Sequence, residues 1–404
     1  MRLFAALGPG NIVADQRAKL AGPDGPGETS IAFSRQFVAY AQARGFPALL
    51  ISYHGTPDRL STGDVTLENM LRSGAAATGL MYHLHHISYG IRLLRRARRF
   101  RADLALIDSG STHYFVLSLF WLFGIKVAVN LHNVRWPQGF EPTGIVGKAI
   151  RWLDSRFFRY GAIGATGCSP ACADQLRADG ADHLPYFGWC GQFLEQGFSA
   201  HSPAANTGFR IMFAGRVERN KGVFDLIDIA ARLRCESSVP ITFEICGDGT
   251  ALNELRTAVS AAGLDDHIIT RGRLGRADLL DGYARCDAVI VPTRGDFCEG
   301  MPLVCAEATL SGRPVITSRL SNALPVIGAA IAEAQPEDVG SYVAVIRALA
   351  ENRSEYDSLQ SACHSASRLF LDRSQGYAAA IDRLICHLTP GMAPLSDYDA
   401  LYVG

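Results

Sequence analysis

The chain has 404 residues, with 39 basic and 39 acidic side chains, so its formal net charge is zero at pH 7. That balance argues against a general nucleic-acid-binding protein, which needs an excess of positive charge. The length is too great for one compact core, so we expect two domains. Ten cysteines lack the paired spacing of a zinc site, which indicates reduced thiols in a cytoplasmic protein without a bound metal.

Short apolar runs in the first half alternate with helical patterns, as is typical of a parallel sheet with crossover helices. The predicted strands are Leu3–Leu7, residues 48–53, Leu104–Asp108 and residues 127–131. The apolar stretch at residues 114–131 is broken by Gly124 and Lys126. We interpret it as a buried helix followed by a strand, because a membrane span needs about 20 uninterrupted apolar residues.

Residues 91–101, IRLLRRARRFR, contain six arginines. If the segment is helical, Ile91, Leu94 and Phe100 share an apolar face. A basic amphipathic helix of this kind can dock on anionic lipid. The alternative is a solvated helix whose arginines pair with acidic residues elsewhere.

The second half repeats the alternating pattern after a segment rich in small residues, glycine and proline, residues 196–209, which predicts a linker. Its strands are predicted at residues 210–215, Ile241–Cys246, 267–272, 287–292 and 313–318. We therefore predict an α/β fold of two doubly wound, Rossmann-like domains, residues 1–195 and 210–375, facing across a cleft. Residues 376–404 are expected to form a C-terminal helix and tail that pack back on the first domain. Ligands of such folds bind at the carboxyl ends of the strands.

The most informative stretch is CEGMPLVCAE, residues 298–307. Glu307 lies in an apolar run, where an ionised carboxylate is costly unless something pairs with it. We predict a loop followed by a helix with Pro302 at its first position, so that the first-turn amides form an anion site. The residues of this helix mouth are Gly300, Met301, Pro302 and Leu303.

A ligand with a diphosphate at the helix mouth would place one polyol near Glu307 and another near Glu299. A nucleotide sugar has this layout, and carboxylates accept hydrogen bonds from vicinal hydroxyls. The alternative is that Glu307 pairs with a buried Arg or Lys, while Glu299 is a solvated loop residue.

A second cluster, AGRVERNKG at residues 214–222, follows the first strand of the second half. Arg216 and Lys221 can supply positive charge to a diphosphate, and Gly215 and Gly222 allow the backbone to approach a ligand closely. Loop cations are more often simply solvated, but their position at a strand's carboxyl end favours a site.

Together AGRVERNKG, ICGDG and PTRGDFCEGMPLVCAEATLSGRPVITS resemble the retaining family 4 glycosyltransferases, whose fold is the two-domain GT-B arrangement. The resemblance covers residues 210–318 in motif order and spacing, and is only general in the first half. It implies an acceptor-side first domain and a nucleotide-sugar-binding second domain. It also implies metal-independent, retaining transfer from a nucleotide-diphosphate sugar to a glycan, lipid-linked or small-molecule acceptor, as in polysaccharide biosynthesis, without a cofactor.

The resemblance further implies roles for four residues of the second half. Glu307 would hold the ribose hydroxyls, and Glu299 would contact the donor sugar. Arg216 and Lys221 would stabilise the leaving diphosphate, which is electrostatic catalysis of a developing charge.

The resemblance also implies roles for residues in the loops that follow the strands. The base would lie against Arg273 and Leu274, and His132, in VNLHNVRWP, would lie near the donor sugar. The alternative is a structural histidine, which is the more frequent role of a lone histidine at a strand end. Gly25 and Gly27, in GPDGPGETS, occupy the place of a glycine pair near the donor phosphates, although Pro26 interrupts the pair.

Two departures from the family pattern concern donor-sugar recognition. After the last strand of the first domain, family members often have Asn-Gly, whereas this chain has LPYFGWCGQF at residues 184–193. After RPVITS many members have a glycine pair and then a glutamate, whereas this chain has RLSNALPVI. Two alternatives stay open: a nucleotide-sugar epimerase of the same architecture and a non-catalytic sugar-binding subunit. Because family members often use lipid-linked acceptors, we also expect peripheral contact of residues 91–101 with the inner face of the membrane.

Overall fold

The computed structural model describes residues 1–21, 29–74, 77–195, 197–198 and 208–402. The chain divides into two compact units, and both are built from separate stretches of sequence. The first unit comprises Met1–Asn133, Pro142–Cys190 and Arg373–Gly404, and the second comprises Val134–Glu141 and Gly191–Asp372. Gly25, Gly27 and most of the predicted linker lie outside the described residues.

The first unit contains an eight-stranded sheet within its described part, in the order β3-β4-β2-β1-β5-β6-β7-β8. Its strands are β1 Leu3–Leu7, β2 Ala48–Ser52, β3 Asp58–Thr62, β4 Val65–Asn69, β5 Leu104–Asp108, β6 Lys126–Leu131, β7 Ala162–Gly167 and β8 Tyr186–Gly188. All neighbouring pairs are parallel except β3 with β4. The order of the strands reverses between β1 and β5, so ligand-binding side chains are expected where these two strands end.

The helices of the first unit pack on this sheet. They are α1 Ile12–Ala21, α2 Phe33–Ala43, α3 Gly79–Phe100, α4 Ile145–Tyr160 and α5 Pro170–Ala178, with a 3-10 helix at Tyr114–Phe123. The central strands β1, β2 and β5 are buried along their whole length, as expected for parallel strands covered on both faces.

The structure adds detail to the sequence analysis of the first unit at three places. The hairpin of β3 and β4 was not predicted, because its outer strand alternates exposed and half-buried positions and lacks an apolar run. The Tyr114–Phe123 segment is a 3-10 helix with several exposed apolar side chains, so it is not a wholly buried helix. In residues 91–101, Leu94 is buried and Ile91 and Phe100 are half-buried, so these apolar side chains pack against protein.

The second unit contains a six-stranded parallel sheet within its described part, in the order β11-β10-β9-β12-β13-β14. Its strands are β9 Phe209–Ala214, β10 Ile241–Cys246, β11 Ile268–Gly272, β12 Ala288–Val291, β13 Val315–Thr317 and β14 Ile331–Glu333. Counted from β9, this is the 3-2-1-4-5-6 order of the Rossmann fold, whose switch point lies between its first and fourth strands. Here that point lies between β9 and β12.

In the described part of this unit, five α-helices connect the strands and two more follow β14. They are α6 Asp225–Glu236, α7 Leu252–Ala261, α8 Arg276–Arg285, α9 Leu303–Leu310, α10 Leu324–Ile327, α11 Val339–Glu351 and α12 Arg353–Ser367. Helix α9 is the one predicted from CEGMPLVCAE, but Pro302 is its N-cap and Leu303 its first residue. The proline has φ −61° and ψ 130°, so its backbone is extended and the helix begins one residue later than predicted.

The last helix of the chain, α13 Tyr377–Leu388, belongs to the first unit. Asp382, fully buried on this helix, accepts hydrogen bonds from the Arg44 guanidinium at the end of α2 (2.5 Å to Nη2) and from the Tyr398 hydroxyl (2.9 Å). A charge buried to this degree requires such partners. The C-terminal segment is therefore fastened to the first unit by a charged cluster as well as by apolar packing. Among the described residues, we find no helix with the length and apolarity needed to cross a bilayer.

Candidate active site

A cavity of about 590 Å³ opens at the switch point of the second unit's sheet. Its walls come from the segments that follow β9, β10 and β12, and from the start of α9. This is the location where an open α/β sheet binds its ligand.

Two glycines make the close approach of these segments possible. A Cβ atom on Gly247, just after β10, would lie 1.8 Å from the carbonyl oxygen of Gly215, just after β9. Gly222 has φ +73°, and a Cβ there would lie 2.0 Å from the carbonyl oxygen of Pro292. A Cβ at either position would collide with the backbone, so Gly222 in AGRVERNKG and Gly247 in ICGDG are required by the packing of these segments.

Lys221 and Glu299 form an ion pair at the cavity wall, with 2.5 Å between Lys221 Nζ and Glu299 Oε2. Both side chains are largely buried, and the ammonium also lies 3.8 Å from the centre of the Phe297 ring. The Thr293 hydroxyl donates a weaker hydrogen bond of 3.4 Å to the same carboxylate oxygen. The ammonium is therefore held in place by a carboxylate and an aromatic face before any ligand arrives.

The backbone of Glu299 is fixed independently of its side chain. Its carbonyl oxygen accepts hydrogen bonds from the Val134 amide (3.0 Å) and from the buried Asn322 side-chain amide (2.9 Å). Asn322, in RLSNALPVI, thus contributes to the site at the point where the sequence departs from the family pattern. That contribution could not be predicted from the sequence, because Asn322 acts on a carbonyl group 23 residues away.

Arg216 lies at the more open side of the cavity. Its guanidinium pairs with Glu218 at 3.0 Å and lies 5.5 Å from the Phe297 ring, and most of its side chain is exposed. An exposed ion pair contributes little to stability. Arg216 is therefore able to change partners when an anion enters the cavity.

Glu307 is buried on α9, and its Oε2 accepts a 2.5 Å hydrogen bond from the hydroxyl of Tyr283 on α8. Burial, followed by the charge of Glu307, raises the pKa of Tyr283 well above its usual value. The phenol therefore stays protonated and donates to the carboxylate. The sequence suggested an Arg or Lys as a protein partner for Glu307, and Tyr283 was missed because only the packing of α8 against α9 brings it there.

Most of the predicted residues of the second unit share this cavity. Its walls include Gly215, Arg216, Lys221, Arg273, Leu274, Glu299, Pro302, Leu303 and Glu307. Gly300 and Met301 occupy the loop between Glu299 and Pro302 without lining the cavity. In the described ranges, no three His, Cys, Asp or Glu side chains are arranged as ligands for a metal ion.

His132 lies in the first unit, directly after β6, and contacts two side chains that the sequence did not single out. Its Nε2 is 2.8 Å from Asp108 Oδ2 and 2.7 Å from Asn130 Nδ2. Asp108 ends β5, and the parallel pairing of β5 with β6 places it opposite Asn130. The sequence shows that Asp108 ends a predicted strand. Its contact with His132 becomes visible only when β5 is paired with β6.

The orientation of Asn130 follows from its other partners. Its Oδ1 accepts hydrogen bonds from the Thr166 hydroxyl (2.8 Å) and the Trp189 indole (2.9 Å), so its amide nitrogen faces Asp108 and His132. The ring of His132 also lies against those of Trp189 and Phe33, at 5.1 and 4.8 Å between centroids. Asp108 and Asn130 thus fix the plane of the imidazole: a neutral Nε2 accepts from the Asn130 amide, and a protonated Nε2 donates to Asp108.

Comparison with known proteins identifies the second unit. Residues 198–366 match the family model described as Glycosyl transferases group 1. Over 115 residues the chain is 31% identical to a D-inositol 3-phosphate glycosyltransferase of Arthrobacter sp. (strain FB24), covering 28% of this chain and 27% of that protein. The chain therefore matches about a quarter of the length of this curated relative.

Solved structures are similar over nearly the whole chain. Anabaena HepE in complex with UDP has a TM-score of 0.64 and 15% identity, covering 96% of this chain and 99% of its own. Sucrose-phosphate synthase from Thermosynechococcus elongatus has a TM-score of 0.71 and 14% identity, with the same coverage. Together with the two parallel sheets, these similarities confirm the predicted α/β, GT-B fold class.

Proposed function

Because residues 198–366 match the family model described as Glycosyl transferases group 1, we propose that the chain is a retaining glycosyltransferase of that family. It transfers a sugar from a nucleotide-diphosphate donor to a glycan, lipid-linked or small-molecule acceptor. The observation that carries this proposal is the cavity at the switch point, where the Lys221–Glu299 pair and Glu307 lie in one wall. A cation and two carboxylates suit a ligand that combines a diphosphate with two polyols.

Lys221 and Arg216 meet the charge that develops on the departing diphosphate. The ammonium of Lys221 is held by Glu299 and the ring of Phe297, so little reorganisation is needed when the bond to the sugar breaks. Fixed charges of this kind stabilise a transition state more than mobile ones do. We propose that these two cations remove the need for a metal ion.

Glu307 binds the ribose in this proposal. The Tyr283 hydroxyl orients the carboxylate, which accepts hydrogen bonds from the hydroxyl groups of the ribose. The hydrogen bond from Tyr283 already restricts rotation of the Glu307 carboxylate, so the side chain loses less conformational entropy when the donor binds. Arg273 and Leu274, in the wall beyond β11, contact the base.

Glu299 contacts the donor sugar, and His132, whose ring is oriented by Asp108, is a second candidate for a catalytic role. Anabaena HepE, whose fold is similar, was solved in complex with UDP, which makes uridine donors the first to test. We place the protein in the cytoplasm, since its ten cysteines are all free thiols.

The test is to incubate the purified chain with UDP-, GDP- and ADP-sugars and to measure release of the nucleoside diphosphate, with and without EDTA. We expect one nucleotide class to be turned over, at a rate that EDTA leaves unchanged. Nuclear magnetic resonance of the product formed with an acceptor then reports whether the anomeric configuration is retained. If calorimetry detects no binding of any donor, the proposal is wrong and a non-catalytic subunit is favoured.

A further inference from the structure

Part of the first unit presents apolar side chains to solvent. In the 3-10 helix Tyr114–Phe123, one side is buried, but Leu119, Trp121, Leu122 and Phe123 are exposed. A helix that is apolar all round is normally buried on every side. This one is covered on one side only.

Helix α4 has the same property. Its Phe157 and Phe158 are buried, whereas other large apolar side chains face solvent. The exposed ones are Ile145, Val146, Trp152, Leu153 and Tyr160. We call the exposed apolar side chains of the 3-10 helix and α4 the apolar face.

The two elements and α3 pack against one another. The ring of Tyr114 lies 4.8 Å from that of Phe158, and Asp154 on α4 accepts a 2.9 Å hydrogen bond from the Phe115 amide. On the other flank, the guanidinium of Arg98 on α3 lies 4.7 Å from the ring of Phe123. The apolar face and the arginine-rich half of α3 are therefore neighbours on one surface.

The exposed charges on α3, the 3-10 helix and α4 have one sign. Neither α3 nor the 3-10 helix contains an aspartate or glutamate, and the single acid of α4, Asp154, is buried. The exposed cations of α3 and α4 are Arg95, Arg98, Arg99, Lys148, Arg156 and Arg159. Arg156 lies 5.0 Å from the ring of Trp152, so cations and aromatic rings are interleaved.

We propose that the apolar face docks on an anionic lipid bilayer. Tryptophan and tyrosine prefer the interface between headgroups and hydrocarbon, leucine and isoleucine enter the hydrocarbon, and arginine meets the anionic headgroups. This inference goes beyond the proposed function and does not rest on it. It also differs from the sequence prediction for residues 91–101, because the apolar contribution comes from neighbouring elements and α3 supplies the charge.

The tryptophans provide a direct measurement. The chain has four, and Trp121 and Trp152 are 57% and 59% exposed, whereas Trp136 and Trp189 are 6% and 5% exposed. Only the two on the apolar face can change environment by docking. We expect a blue shift of the emission on adding vesicles of phosphatidylcholine with phosphatidylglycerol, and quenching by lipids brominated on the acyl chains. Vesicles of phosphatidylcholine alone should produce much less of both.

Two variants test the surface while leaving the tryptophans in place. Leu122→Ser with Ile145→Ser removes the two most exposed aliphatic side chains of the face and should weaken vesicle partitioning by more than about tenfold. Leu20→Ser, on α1, removes a leucine that is 59% exposed elsewhere and should change nothing. Arg98→Gln with Arg156→Gln should weaken binding at low salt and reduce its salt dependence.

The proposal is overturned if anionic vesicles leave the emission unchanged, or if the two serine variants behave alike. It is also overturned if sedimentation without lipid shows a dimer that Leu122→Ser with Ile145→Ser dissociates, because the face then binds protein. Binding of a nucleotide donor by each variant checks that the chain is folded.

Discussion

Each of the two sheets carries ionisable side chains at its carboxyl edge, but the two edges hold them differently. In the second unit, Lys221 and Glu299 form an ion pair in the wall of a cavity. In the first unit, Asp108 accepts a hydrogen bond from the neutral amide of Asn130, which itself accepts one from the Trp189 indole, and the ring of His132 packs against Trp189. The first arrangement is suited to binding charge, and the second to fixing the direction of one ring. Substitutions should therefore affect donor binding in one unit and turnover in the other.

The largest effect is expected from Lys221→Met. It removes a fixed cation from the proposed diphosphate position and leaves Glu299 without its charged partner, so kcat/KM should fall by about 10²–10³-fold. Steady-state kinetics of nucleoside diphosphate release measure this. Arg219→Met is a matched control, because Arg219 lies in the same 3-10 turn but is exposed and pairs with Glu254. Equal losses in both variants would contradict the assignment of Lys221.

Glu307→Gln should act mainly on binding. Losing hydrogen bonds to a charged acceptor should raise the KM for the donor by roughly 10–100-fold, with a smaller change in kcat. Tyr283→Phe keeps the carboxylate but removes its 2.5 Å hydrogen bond, and should cost less. Calorimetry with the free nucleoside diphosphate checks both variants. A Glu307→Gln protein that binds the nucleotide as tightly as the wild type would refute the ribose contact.

Asp108→Asn tests the first unit. It leaves one acceptor oxygen where the carboxylate had two, so the Asn130 amide and His132 Nε2 compete for it and the orientation of His132 is weakened. We expect kcat to fall by about tenfold, since a small misplacement of a positioned group is costly. Affinity for the free nucleoside diphosphate should not change. If the affinity for the nucleoside diphosphate falls by the same factor as kcat, the proposal that the first unit acts on turnover and the second on donor binding is wrong.

The smallest effect concerns pH and stability. Burial lowers the pKa of both His86 and His113 from 6.5 to about 4. Between pH 6.5 and 4 the unfolded chain therefore binds protons that the folded first unit does not, and the free energy of unfolding falls as the pH decreases. The positive charge of Arg72 acts in the same direction on the pKa of His86.

Thermal unfolding of wild type and His113→Gln between pH 7 and 4.5 measures this contribution. The wild type should lose several degrees more than the variant over that range. His183→Gln is the control, because His183 is exposed. Parallel curves for wild type and His113→Gln would contradict the prediction.

The second unit's cavity was largely predictable because its residues come from short stretches, each directly after a strand. Arg216 and Lys221 follow β9, and Glu299 and Glu307 flank the start of α9. Periodicity and glycine positions are enough to place such stretches at one edge of a sheet. The Pro302 position was wrong by one residue, since a proline has the same φ at an N-cap as in a first turn.

The partners of these residues could not be predicted, because they depend on contacts between distant elements. Tyr283 reaches Glu307 from α8, and Asp108 reaches His132 only through the pairing of β5 with β6. The exposed side of Tyr114–Phe123 was missed for a related reason. An apolar run predicts burial, and nothing within the run shows that one side has no neighbour.

The return of α13 to the first unit has a consequence for biosynthesis. The ribosome completes residues 191–372, the main part of the second unit, before it makes the helix that carries Asp382. Until then Arg44 lacks its buried partner, and the first unit, although begun first, is finished last. A chain released after residue 372 would contain every residue of the second unit and an incomplete first unit. Its α2 would expose a surface that attracts chaperones and proteases.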